Sequence, residues 1–78
     1  MNEEKERNLG PQPIASLMQQ LQLRSHDLVA ASTEQLTHKM VTRAVRGRRL
    51  TSNTKGIVQR ALNQATGHVY KLKELFNY

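Results

Sequence analysis

Apolar residues in this chain recur at helical spacing, and no alternating run of useful length breaks the pattern. Ile14, Leu17, Met18 and Leu21 fall at i, i+3, i+4 and i+7. Leu36, Met40, Val41, Ala44 and Val45 form a second stripe, and Ile57, Val58, Ala61, Leu62 and Ala65 a third. No internal repeat is visible. The pattern predicts an all-α fold, a compact bundle of four to five short helices. With 78 residues the chain makes one small domain. Its core is modest, because a chain of this size buries only about 60% of the surface it exposes when unfolded.

Cap residues divide the pattern into helices. Pro13 suits a first turn, where its missing N–H costs nothing, and opens a helix over 13–21. Ser25 reads as the N-cap of a second helix, with Asp27 in the first turn and Leu28, Val29 and Ala31 on the buried side. That helix ends near Ser32. Ser32-Thr33-Glu34-Gln35 has the capping-box pattern, but Thr37 is the better start for the third helix, with 33–36 as a turn. Arg46 lies in its last turn and Gly47 is the natural left-handed residue after it. A fourth helix starts after Thr51 or Ser52, runs to Ala65 and stops at Gly67. Gly56 inside it costs about 1 kcal/mol relative to alanine. A last short helix or turn over 72–76 returns Leu72, Leu75 and Phe76 to the core. Two of the three aromatics, Phe76 and Tyr78, lie in the last three residues, which predicts a docked C-terminal segment. Residues 1–12 are polar, mixed in charge and followed by Pro13 after Gly10-Pro11-Gln12. They read as a flexible tail, leaving 13–78 as the folded domain.

The charge is uneven. Seven basic side chains fall between Lys39 and Arg60, and no acid occurs between Glu34 and Glu74. Residues 14–78 carry ten bases and three acids, a net of +7, against +6 for the whole chain. A basic polar face on a short helix, followed by Arg48-Arg49, suits a polyanion, and nucleic acid is the commonest one. A membrane surface would need large apolar residues opposite the charges, and the basic stretch has few. No apolar run approaches the roughly 20 residues of a bilayer span, and the charged start has no signal-peptide core. A cytoplasmic, nucleoid-associated protein is expected. Cysteine is absent, so thiolate metal sites and cysteine nucleophiles are excluded. His26, His38 and His68 have no metal-ligand spacing. Asp27, Glu34 and Glu74 share no motif, and Lys55-Gly56 lacks the phosphate-loop spacing. Neither an enzyme nor a cofactor or metal site is expected.

Leu36-Thr37-His38-Lys39-Met40-Val41 supplies an apolar residue, a cap, three variable residues and a buried aliphatic. Gly47 follows six residues after Val41, then Arg48-Arg49-Leu50-Thr51 and a capped fourth helix. Over most of 14–76 the chain resembles the phage-repressor (Cro/repressor-like, lambda-repressor-like) helix-turn-helix DNA-binding domains. The resemblance implies a bacterial transcriptional regulator bound to double-stranded DNA, with the helix at about 37–46 in the major groove. It implies base contacts from His38, Lys39, Thr42 and Arg43. Backbone contacts would come from Arg46, Arg48, Arg49, Asn53, Thr54 and Lys55, and from Ser25 and His26 at the start of the second helix. Arg60, Lys71 and Lys73 are read as solvated. The chain departs from the family in having no glycine between Arg24 and Gly47, so either the turn is wider or the third helix begins earlier. Val45 and Arg46 stand where the family often has an acid. A monomer or weak homodimer is expected, with the fourth helix, Leu75, Phe76, Tyr78 and Tyr70 as candidate interface. A protein-interaction adaptor for an acidic partner is the alternative. RNA binding ranks third, because no aromatic precedes Tyr70 to stack on bases.

Overall fold

The computed structural model describes residues 9–78, and these form five α-helices with no strand among the described residues. They are α1 (Pro13–Gln20), α2 (Ser25–Ala31), α3 (His38–Arg46), α4 (Ser52–Thr66) and α5 (Leu72–Leu75). The all-α bundle expected from the apolar spacing is the fold observed. No helix of the described residues is long and apolar enough to cross a membrane.

Local chemistry sets most of the boundaries. Thr37 caps α3, its Oγ1 accepting from the Met40 N–H at 3.1 Å. Thr51 caps α4 in the same way through the Thr54 N–H at 3.2 Å. Gly47 ends α3 at φ +85°. Its N–H donates to the Ala44 carbonyl and the Arg48 N–H to the Arg43 carbonyl, the paired bonds of a Schellman motif. Gly67 ends α4 at φ +75°. The α1 terminus repeats the Schellman pattern with Gln22 at φ +56°, a left-handed position without glycine. At α2 the expected cap shifts by one residue. Ser25 is already helical, and Arg24 takes the cap position because the Asp27 carboxylate reaches back to its N–H at 2.8 Å.

The core gathers Ile14 and Met18 of α1, Leu28 of α2, Val41 and Ala44 of α3, and Val58, Ala61 and Leu62 of α4. Leu36, just before α3, and Leu75 and Phe76 close it. Helix α2 lies mainly along α4, while α3 is wedged among α1, α2 and α4. Leu72 departs from expectation: it stays exposed, and only Leu75 and Phe76 return to the core.

Residues 9–12 belong to the folded unit, although the sequence reading assigned them to the tail. The Leu9 N–H donates to the Gly47 carbonyl at 2.8 Å. Gln12 is fully enclosed. Its Nε2 donates to the Gly10 carbonyl, and its Oε1 accepts from the Asn77 N–H at 2.8 Å. One amide side chain thus ties the entry of the domain to its last residues. The remainder of the expected tail, residues 1–8, lies outside the described residues.

Candidate nucleic-acid interface

Helix α3 buries Val41 and Ala44, half-buries Met40 and Val45, and presents His38, Lys39, Arg43 and Arg46 outward. Lys39, Thr42, Arg43 and Arg46 follow the i, i+3, i+4, i+7 rule and so share one face. The Schellman turn at Gly47 then brings the chain back alongside. Lys39, Thr42, Arg43, Arg46, Arg48 and Arg49 together line one open groove of about 470 Å³. Three of the four expected base-contact residues and three of the expected backbone-contact residues therefore converge. Five of the six lining side chains are cationic and none is acidic or aromatic.

Among the described residues no carboxylate neutralises this groove, because their three acids are committed elsewhere. Asp27 accepts from the Arg24 N–H and Glu74 from the Lys71 N–H, each at a helix start. Glu34 forms a two-pronged pair with Arg60, Oε2 to Nε at 2.7 Å and Oε1 to Nη2 at 2.8 Å. The Arg60 hydrogen bonds hold the Glu34 carboxyl below the ordinary carboxylate range, and Arg60 is raised in turn. Arg60 is thus paired, where the sequence reading left it solvated. The pair fastens the 32–37 linker to α4.

No protein-family model, no curated protein and no solved structure matches this chain.

The other expected contact residues lie outside the groove lining. The His38 ring stacks on that of His26, centroids 6.2 Å apart, so the starts of α2 and α3 sit side by side. Ser25 is half-buried at the first residue of α2. Asn53 is exposed in the first turn of α4, and Thr54 is engaged with the Thr51 cap through its N–H and Oγ1. Lys55 turns inward: its Nζ donates to the Tyr78 main-chain oxygen at 2.9 Å and lies 4.3 Å from the Tyr78 ring centroid. A cation held over an aromatic face and hydrogen-bonded is less free to reach a phosphate. Leu75 and Phe76 are buried in the core, which removes them from any dimer surface. Tyr70 and Tyr78 pack at the core edge.

Proposed function

We propose that this chain is a DNA-binding domain of helix-turn-helix type, acting as a transcriptional regulator, with α3 as its reading helix. The observation that carries the reading is the groove built from α3 and the 48–49 segment, whose described lining is five cations and a threonine. Clustered like charge costs self-repulsion in isolation and is relieved by a polyanion. At nine residues, α3 is about 13 Å long by the helical rise, with an outward face that fits a major groove about 12 Å wide. Lys39, Thr42 and Arg43 would meet base edges, Arg43 or Lys39 preferring guanine O6 and N7. Arg46, Arg48 and Arg49 would meet phosphates. Six residues separate α2 from α3, against the three or four of the common helix-turn-helix. The type proposed here therefore has a wide turn, stiffened by the Glu34–Arg60 pair. A groove without aromatics favours duplex over single-stranded nucleic acid, whose readers stack bases on rings.

Selection from a random duplex library, followed by anisotropy across a salt series, tests the proposal. The expected result is a consensus with a steep salt dependence. Steep salt dependence without a consensus would reduce the function to nonspecific binding. No binding at low salt would overturn the DNA reading in favour of an acidic protein partner.

A further inference from the structure

The groove has two walls of different stiffness. One is α3, capped at both ends. The other is the short segment 48–50, which carries Arg48 and Arg49 and is tied to α3 through the Arg48 N–H, bonded to the Arg43 carbonyl at 3.0 Å. Tyr78 ties the other side of that segment. Its hydroxyl accepts from the Leu50 N–H at 2.9 Å and donates to the Arg48 carbonyl at 3.3 Å, spanning Arg49. The ring that carries this hydroxyl is itself fixed. Phe76, buried in the core, meets it edge-on at 5.7 Å between centroids. Lys55 covers it as a cation 4.3 Å from its centroid and hydrogen-bonds the Tyr78 main-chain oxygen at 2.9 Å. The arrangement forms a chain of support from core to ring to hydroxyl to the two arginines.

We infer that Tyr78 is a positioning residue for the anion groove, setting the backbone from which Arg48 and Arg49 meet phosphates. Lys55 acts behind it as the brace of the ring, not as a phosphate contact. The inference rests on the reading of the groove as a DNA interface. The hydroxyl touches main-chain atoms and no base-reading side chain, so its effect falls on phosphate contacts and leaves base preference intact. A main-chain clamp also acts on both arginines at once.

The test is Tyr78→Phe, which deletes one oxygen and leaves the ring, the Phe76 contact and the Lys55 bond. Binding of wild type and variant to the selected duplex is measured across a salt series, with amide exchange at Leu50 in the free proteins. The expected result is an unchanged consensus, faster Leu50 exchange, and a log–log salt slope shallower by about 0.9 for each phosphate that is no longer neutralised. Lys55→Met is expected to act in the same direction. In an Arg48→Ala/Arg49→Ala background, Tyr78→Phe should add almost nothing, because the side chains it positions are gone. An unchanged slope with unchanged Leu50 exchange overturns the inference, and so does full additivity in the double background. If wild type binds no duplex, the DNA reading falls, and the same comparison on heparin decides Tyr78. An unchanged slope on heparin overturns its role there as well.

Discussion

At Gly47 the backbone takes φ +85°, and a Cβ built there would run into the Gly10 carbonyl. Gly67 has nearly the same dihedral, φ +75°, with nothing within 4 Å of such a Cβ. The two glycines therefore separate conformational cost from steric cost. Gly67→Ala should lose about 1–2 kcal/mol, the cost of a left-handed L-residue. Gly47→Ala should lose clearly more, because Leu9 and Gly10 must move and the Leu9–Gly47 hydrogen bond opens. Urea unfolding of both variants checks this, and equal losses would show that residues 9–10 do not press on the turn. Reading specificity also belongs to single residues. Arg43→Ala is expected to relax the consensus at one position and cost about 1–3 kcal/mol on the selected site. Binding that is unchanged in both affinity and preference would remove α3 as the reading element.

Helices and their linkers show what a sequence can and cannot disclose. Thr37, Gly47, Thr51 and Gly67 were legible as boundaries because each acts on backbone groups within a few residues of itself. The basic face of α3 was legible for the same reason, since helical periodicity alone aligns Lys39, Thr42, Arg43 and Arg46. Ser25 was misjudged as a cap because Asp27 could reach the backbone one residue earlier and did so. Partners distant along the chain left no local signature. Gln12 meets Asn77, Leu50 meets Tyr78, and Arg60 meets Glu34, each pairing made only when the helices pack. That last pair predicts a pH dependence for the α2–α3 linker. Glu34 is held below its ordinary range in the folded state by the Arg60 hydrogen bonds. Its contribution is therefore present above the unfolded carboxylate value, about 4.3, and is lost as pH falls through the lower folded one. The difference in melting temperature between wild type and Glu34→Gln should be constant above about pH 5.5 and close on acidification. A difference that persists to the most acid pH at which both fold would assign it to packing instead of charge.

For the whole molecule, the arithmetic of charge makes the strongest demand. Residues 14–78 carry a net of +7, and five of their cations share one groove while the acids are occupied elsewhere. Each phosphate neutralised by a cation releases condensed counterions and contributes about −0.9 to the slope of log affinity against log salt. With Arg46, Arg48 and Arg49 on phosphates and Lys39 and Arg43 on bases, one domain on its site should show a slope of about −2.7, and two domains on a paired site a slope of about −5.4. The same titration thus reports the interface and its stoichiometry. Arg48→Ala should lower the magnitude by about 0.9 per domain and weaken cognate and random duplexes alike. Lys71→Ala and Lys73→Ala, in and beside α5 and outside the groove lining, should leave the slope unchanged. Equal effects from all three substitutions would mean that the domain attracts DNA through its overall charge, with no defined interface. A slope reduced only by the groove substitutions would tie affinity to the juxtaposition that the turn at Gly47 creates, in which a helix face and a separate segment of chain present cations to one polyanion.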